Sequence, residues 1–535
     1  MMASSTALLR SLEKIVTPSY LATDPANKRL YSRDMMARGL LLWRAGKGEN
    51  QPDSVVWPAS ATEVSEIVKL AGASGTPIVP FGGGSGVSGG AVPVKGGIVV
   101  DLKRLNHLLA VDTENNLCLA ESGILGEHLE RGLNERGYSL GHFPASIGIS
   151  TLGGFIACRS AGQFSSKYGK IEDMVCGLEV VLADGQIITT GGEGRAPGRA
   201  ERVSTAGRNP RQDPSRLLDL PPSSDLTPLF LGAEGTLGIV TKALLKIHPL
   251  PEIALYRGFR FKNVASALEG MRGLMQMGLR PSVLRLYDPL DSLLLKWGYD
   301  SEGKNRGVLK ETLSRIISTL EGGLKKKGIS QILKHPALFQ KFLSLIPEQV
   351  LLITGFEGER GIAEKEEKKA LPLLKRSGGV DLGRRPGEHW RKHRYSVSFK
   401  QIGIFQDGAF ADTIEVAATW DRLLPLYESV REALGEKVLV LAHFSHAYHD
   451  GASIYFTIVG AAGREEEVAL YDEVWDRAMK TTLAQGGTIS HHHGIGLLKA
   501  KYMEEELGSL MNLFRKIKKK LDPQGILNPG KLGLG

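Results

Sequence analysis

The sequence predicts an α+β protein of two lobes, and three observations predict it. From Ser54 to Leu250 short strand-like runs alternate with helical ones. A stretch rich in Arg, Gly, Pro and Ser, spanning 190–224, then breaks the periodicity and reads as an exposed loop insertion. Beyond Leu255 the runs "SVLRLYD", "VLLITGFEG" and "ASIYFTIVGA" stand far apart with helical sequence between them, as a mixed α+β sheet requires. The expected organisation is a helical N-terminal segment over 1–50, a first domain over 51–252, a second over 253–485, and a C-terminal segment 486–535 that returns to the first. At 535 residues the chain can bury two sizeable cores.

The elements follow in order. "MMASSTALLRSLEKIV" is an amphipathic helix; it lacks the long apolar run and cleavage site of a secretory signal. "DSVVWPAS" is a strand. "ATEVSEIVKLAGASG" is a helix with Val64, Ile67, Val68 and Ala71 on one face, capped by Thr62 and ended by glycine. "GGIVVDLKRL" and "NLCLAESG" are strands, and "ILGEHLERGLNERG" is a helix. "LEVVLADGQIITT" is a hairpin turning at Asp184-Gly185. "PLFLGAEGTLGIVTKALLKIHPLPE" runs helix, loop, strand. "LKKKGISQILKHPALFQKFLSLIP" has apolar residues at helical spacing backed by lysines, which suits a core helix or a membrane surface.

Composition narrows the classes. No apolar run approaches the ~20 residues of a spanning helix. The three cysteines, Cys118, Cys158 and Cys176, form no CxxC and no disulfide framework, which fits a reducing compartment. The formal net charge of +9 is spread along the chain and favours anionic partners, phosphates or acidic lipid. No nucleic-acid module is recognisable. A cytoplasmic protein, at most peripheral to a membrane, is expected.

"FGGGSGVSGG" contains a formal GxGxxG at Gly84-Ser85-Gly86-Val87-Ser88-Gly89. A dinucleotide fingerprint needs a helix directly afterwards. The sequel "AVPVKGGIVVDL" carries Pro93 and β-branched residues, so the loop joins two strands. Such a loop can still hold pyrophosphate on successive backbone N–H groups, with Ser85 and Ser88 adding hydroxyls. A second small-residue stretch, "HFPASIGISTLGGFIACRSAGQFSSKYGKIEDMV", allows close backbone approach to a flat ring.

These stretches, with "VVWPASATEVSEIVKLA" and "LFLGAEGTLGIVTKALLKIHPLP", resemble the FAD-binding domain of the vanillyl-alcohol-oxidase-like flavoproteins over about Ser54 to Pro251. The resemblance implies a PCMH-type FAD-binding domain plus a mixed α+β substrate (cap) domain. It implies that Pro80, Gly82, Gly83, Gly84, Ser85, Gly86, Val87 and Ser88 cradle the pyrophosphate of FAD. It further implies that Pro144, Ser146, Thr151, Gly153 and Gly154 line the cofactor. Ser160, Gly162, Tyr168 and the segment containing Glu234, Gly235, Thr236, Ile239 and Val240 complete that lining. No tethering histidine or cysteine stands in the glycine loop, so non-covalent FAD is expected.

Three consecutive histidines, "TISHHHGIGLLKAKYM", ask for a metal site, an acid–base cluster or a merely polar loop. Two branches resemble this chain. The D-2-hydroxyacid dehydrogenases carry two histidines and a carboxylate for a divalent metal. Here Tyr455 stands in place of one histidine and His492 in place of the acid, which predicts no metal. "SHAYHDGASIYF" and "SHHHGIGLLK" are similar instead to the alkyldihydroxyacetonephosphate synthase branch, as are "PSVLRLYD" with Arg285 and "EVAATWDR" with Glu415. The ending "DPQGILNPGKLG" stands closer to the dehydrogenases, and the alternative stays open.

The synthase resemblance implies that the acyl chain of acyl-dihydroxyacetone phosphate is exchanged for a long-chain alcohol through an adduct at flavin N5, without net redox. It assigns His491, His492 and His493 to proton transfer, which imidazole performs near neutral pH. Tyr455 would assist the departing carboxylate, and Arg285 would pair with carboxylate or phosphate. Lys400 and Glu415 are further candidate substrate contacts. His443, His446 and His449 are expected as loop or core residues. The other readings are an FAD-dependent D-2-hydroxyacid dehydrogenase and a non-catalytic flavin protein docking on membranes; a homodimer is an open possibility.

Overall fold

Burial and capping settle the local structure of the first lobe. In the computed structural model, which describes residues 2–47, 50–191, 225–293, 349–395 and 409–535, the helix Ala61–Ser74 buries Val64, Ile67, Val68 and Ala71 completely. Each such aliphatic side chain contributes about 1.5–3 kcal/mol of transfer free energy, less for the alanine. The cap is Ser60, whose hydroxyl accepts the Glu63 N–H at 3.1 Å, and not Thr62. Gly75 ends the helix at φ +63°. The N-terminal helix Met2–Val16 packs Leu12 and Val16 onto the same core. The stretch 192–224, the lysine-backed helix expected at 324–347 and Lys400 lie outside the described residues.

Two larger sheets and a short pair, Tyr138–Ser139 with His248–Pro249, build the first lobe among the described residues. Ser54–Val56, Ile98–Asp101 and Ile78–Phe81 pair in parallel, with Leu21–Ala22 antiparallel at the edge. The glycine loop is therefore the crossover between parallel strands, and no helix follows it. The second sheet is five-stranded and antiparallel, in the order Leu108–Asp112, Leu117–Glu121, Ile239–Lys246, Val175–Val181, Ile187–Thr189. The predicted hairpin forms its last pair, with Gly185 at φ +81°.

The second lobe is a seven-stranded antiparallel sheet. Its order is Val380–Asp381, Ile253–Phe261, Val350–Gly358, Val283–Tyr287, Leu439–Ser445, Gly451–Ala461, Ala409–Thr419. Strand side chains alternate between faces. One face puts Leu284, Leu286, Ala442, Phe444, Ile454, Phe456, Ile414 and Val416 against helices, including Trp420–Gly435 and Glu467–Ala484. The intervening residues Arg285, His443, Tyr455 and Glu415 therefore share the other face.

The C-terminal segment returns to the first lobe. Ile78 N–H donates to the Ile526 carbonyl and Asn528 N–H to the Ile78 carbonyl, both at 2.7 Å. Lys531, wholly buried, donates to the Val92 carbonyl at 2.8 Å. No helix among the described residues is long and apolar enough to cross a membrane.

Candidate active site

The glycine loop lies against residues 146–151. A Cβ on Gly82 would collide with the Thr151 hydroxyl, and one on Gly83 with the Ile149 carbonyl. The backbone can approach this closely only without side chains. Ser85, Ser150 and Ser146 form a hydroxyl chain, with oxygens 2.6 and 2.7 Å apart. Thr151 caps the helix Leu152–Cys158 by accepting the Gly154 N–H at 3.3 Å. Lys103 donates to the Gly82 carbonyl at 3.0 Å and to Asp101 at 2.6 Å, steadying the loop from behind. Buried polar atoms here have no partner among the described residues: Ser122 Oγ, His142 Nδ1 and Gln163 Oε1. Unpaired buried donors and acceptors cost free energy unless a ligand meets them. The stripped backbone, the hydroxyls and these open atoms fit a large polar cofactor.

Across the cleft, the register of the second sheet aligns a row of side chains. Glu415 pairs with Tyr455, Tyr455 with His443, and His443 with Tyr287. Arg285 stands two residues before Tyr287 on the same face, and its Nη2 donates to His443 Nε2 at 2.7 Å. His443 Nδ1 is 3.5 Å from Asp291. The Tyr455 ring stacks on His443 with centroids 4.9 Å apart.

The histidine loop is folded over Glu415. Glu415 Oε1 accepts the backbone N–H of His491 at 2.5 Å and of His492 at 2.9 Å. Its Oε2 accepts that of His493 at 3.3 Å. Three consecutive peptide donors converge on one carboxylate, an anion nest filled by the protein's own side chain. Lys499 lies 3.4 Å from the same carboxylate with both side chains wholly buried. The imidazoles then gather: His492 stacks near Tyr455, at 6.2 Å between centroids, with His493 edge-on to Tyr455 at 5.1 Å. His446 lies 4.6 Å from His492 and hydrogen-bonds Ser165 of the first lobe at 2.7 Å. His491 Nδ1 and His492 Nδ1 are 3.0 Å apart, so one nitrogen must carry the proton.

Burial governs the charges. It lowers the His491 imidazole to about 3, and holds His443, His446 and His493 well below their ordinary value, aided by neighbouring His492 and, at His443, by Arg285. Burial also raises the Tyr455 phenol to about 12, so it remains a proton donor at neutral pH. Glu415 moves the other way: burial favours its neutral form, but His492 and Lys499 outweigh burial and keep it ionised. The sequence pattern puts no acid beside the histidines, and the fold supplies Glu415 there. One ligand atom from each of Glu415, His491 and His492 lies within 4.8 Å of the others. Three peptide N–H groups and Lys499 already occupy about four acceptor positions of that carboxylate, which is the number it has.

Family models match both lobes: an FAD binding domain over residues 52–191, and the C-terminal domain of FAD linked oxidases over residues 250–532. The second match alone spans more than half of the chain. This protein belongs to the FAD-linked oxidase family. It is an FAD-dependent enzyme of α+β fold. Among curated relatives of this family member, the alkyldihydroxyacetonephosphate synthase of Trypanosoma brucei brucei is 29% identical, the alignment covering 92% of this chain and 75% of the relative. Glycolate oxidase subunit GlcD of Bacillus subtilis is 28% identical, covering 90% and 89%. A solved alkyldihydroxyacetonephosphate synthase superposes with a TM-score of 0.73 at 25% identity, covering 98% of this chain and 84% of that one. A 4-ethylphenol oxidase from Gulosibacter chungangensis shares the fold, with a TM-score of 0.73 at 17% identity over 100% and 98% of the two chains.

The structure brings together the predicted His491, His492, His493, Tyr455 and Arg285 of this FAD-linked oxidase. Several predicted cofactor contacts are otherwise engaged. The Tyr168 hydroxyl donates to Glu357 at 2.7 Å, linking the lobes. Glu234, at φ +49°, accepts the Ile495 and Gly496 N–H groups at 2.6 and 2.9 Å and so fastens the C-terminal segment. Ile239 is sunk in the first core, and the Thr236 hydroxyl donates to the Ala233 carbonyl. Ser88 accepts the Leu497 and Leu498 N–H groups on its carbonyl, joining the glycine loop to the histidine loop. Glu415, expected at the substrate, instead organises the histidines. His443 and His446, expected as loop or core residues, stand within the cluster; among the described residues His449 does not, and its carbonyl accepts the Trp420 indole N–H. Alternation was the available signal for His443, a polar residue at the odd position of "LVLAHFS".

Proposed function

We propose that this chain is a flavin-dependent ether-lipid synthase, exchanging the acyl chain of acyl-dihydroxyacetone phosphate for a long-chain alcohol without net redox. The observation that carries the reading is Glu415: its carboxylate is occupied by three peptide N–H groups and Lys499, which leaves the clustered imidazoles as the groups able to move protons. The similarity to alkyldihydroxyacetonephosphate synthases over most of the chain supports the same reading.

The glycine loop and residues 146–162 would hold FAD non-covalently, and the bound cofactor would supply a nucleophilic ring nitrogen. The protein's residues do the rest. Arg285, whose buried Nε has no partner among the described residues, offers a charged donor to the phosphate or carboxylate of the substrate. An anion bound there raises the depressed imidazoles toward neutrality. The histidine cluster then takes a proton from the carbon beside the ketone and returns it. Tyr455 donates to the departing carboxylate. The enzyme would act in the cytoplasm, peripheral to a membrane that dissolves its substrates.

The test is incorporation of a radiolabelled long-chain alcohol into acyl-dihydroxyacetone phosphate by the flavin-loaded protein. Incorporation with release of fatty acid is expected. A second reading, a D-2-hydroxyacid dehydrogenase, is favoured by the spacing of Glu415, His491 and His492. Anaerobic bleaching of the flavin by D-lactate or glycolate, without alcohol incorporation, would establish it and overturn the first.

A further inference from the structure

Arg285, His443 and Asp291 form a chain of three polar side chains beside the strand Val283–Tyr287. Arg285 Nη2 donates to His443 Nε2 at 2.7 Å, and His443 Nδ1 lies 3.5 Å from the Asp291 carboxylate. The Arg285 guanidinium carbon sits 5.3 Å from the Tyr287 ring centroid, and its buried Nε has no partner among the described residues. The turn that carries Asp291 is fastened on two sides. Asp288 Oδ1 accepts the Asp291 N–H at 2.8 Å, and the Asp288 N–H donates to the carbonyl of Ala442, the residue before His443, at 2.9 Å. The other Asp288 oxygen meets the Tyr427 hydroxyl at 3.3 Å and Arg431 at 3.5 Å. The Ser292 hydroxyl donates to the Tyr287 carbonyl and accepts the Leu351 N–H, at 2.8 and 2.9 Å. Of the two acids on this turn, Asp288 holds the backbone and Asp291 faces the imidazole.

A guanidinium group has donors only, so His443 Nε2 is the accepting nitrogen of its pair with Arg285. Burial, with Arg285 close by, keeps this imidazole neutral. Its one proton therefore sits on Nδ1, the nitrogen that faces Asp291. Burial raises the Asp291 carboxyl to about 7, with Arg285 opposing, and in either state of protonation it keeps an oxygen able to accept. We propose that Asp291 is a positioning residue, which aims Arg285 at the bound anion through a His443 held in the Nδ1–H form. His443 restrains one amino group of Arg285 and leaves Nε for the ligand. Without Asp291 the Nδ1–H would be stranded in a buried setting, and the ring would turn to find another partner and release Arg285. The role rests on the reading of Arg285 as the anion contact, whereas the proton's place on His443 follows from the donor chemistry alone. A mere countercharge to Arg285 would act through its charge; a positioning residue acts through its accepting oxygen.

The experiment is nitrogen NMR of the full flavin-loaded chain with labelled histidines, the His443 signals being identified by their loss in His443→Gln. A neutral ring protonated at Nδ1, with that proton slow to exchange with water, is expected. Asp291→Ala should lose the Nδ1–H signal to exchange. It should also raise KM for acyl-dihydroxyacetone phosphate about tenfold, with kcat altered by less than about twofold. Asp291→Asn, whose carbonyl oxygen still accepts, should keep both the signal and the KM. Flavin absorbance shows that each variant folds, and the proton's place in the unaltered chain is read whether or not the alanine variant does. An Nε2–H or doubly protonated ring in the unaltered chain would overturn the inference. So would a persistent Nδ1–H signal or an unchanged KM in Asp291→Ala, a fall in kcat at constant KM, or equal losses in the alanine and asparagine variants. Failure of the unaltered chain to incorporate alcohol would overturn the ether-lipid reading alone, and the Nδ1–H signals of the three proteins would still decide whether Asp291 holds His443.

Discussion

Glu415 and Lys499 face each other at 3.4 Å, both side chains wholly buried. The same carboxylate is the hub on which the three-histidine loop folds. Burying an ion pair is costly, and removing one partner leaves the other charge stranded.

Glu415→Ala should therefore destabilise the protein by about 3–5 kcal/mol, read by chemical denaturation. A loss below ~1 kcal/mol would show that Lys499 finds other company. The Glu415 contribution is also pH-dependent. The folded carboxyl is depressed below its ordinary value, so its stabilisation is present above about pH 4.5 and is lost as pH falls through the folded value.

His142 gives the complementary case. Burial, aided by neighbouring His492, lowers its imidazole from 6.5 to about 3. The unfolded chain takes up a proton below about pH 6.5 that the folded chain refuses until about pH 3, so this residue costs stability as pH falls. Relative to His142→Asn, the unaltered protein should lose on the order of 1.4 kcal/mol per pH unit across that window. Parallel stability curves for the two proteins between pH 6 and 4 would contradict the assignment.

Gly83→Ala tests the cofactor cradle. Its Cβ would fall on the Ile149 carbonyl, which is backbone and cannot swing away. The purified variant should lose most of its bound FAD, seen as the ratio of flavin to protein absorbance, while Gly361→Ala, at a glycine with open space around it and no left-handed backbone, should keep its flavin. Equal flavin content in Gly83→Ala and the unaltered protein would move the cofactor elsewhere.

For the chemistry, His492→Ala should abolish alcohol incorporation with flavin retained. Tyr455→Phe, which keeps the ring stacked on His443 and removes the proton donor, should slow incorporation by about 10²-fold or more. Arg285→Lys keeps the charge but not the planar fork and should chiefly raise KM for the anionic substrate. Unchanged steady-state constants in any of these would remove that residue from the mechanism.

The one-faced helix after Ser60 and the glycine loop's joining of two strands were legible in the sequence, because they rest on local rules. Periodicity places Val64, Ile67, Val68 and Ala71 on one helix face, and Pro93 forbids a helix after the glycines. Short-range chemistry erred only slightly at the cap, where Ser60 prevailed over Thr62. What the linear pattern could not show was registry. Glu415, Tyr455 and His443 come from three strands, and only cross-strand pairing puts them in one row.

The sequence by itself determined which residues could do chemistry and which cofactor domain they accompany. Tertiary structure alone decided that an acid stands among the histidines, that it is spent on their own peptide groups, and that His443 and His446 join them. The physical reason is distance along the chain: 76 residues separate Glu415 from His491, and a hydrogen bond over such a separation exists only after the histidine loop has packed on the second sheet.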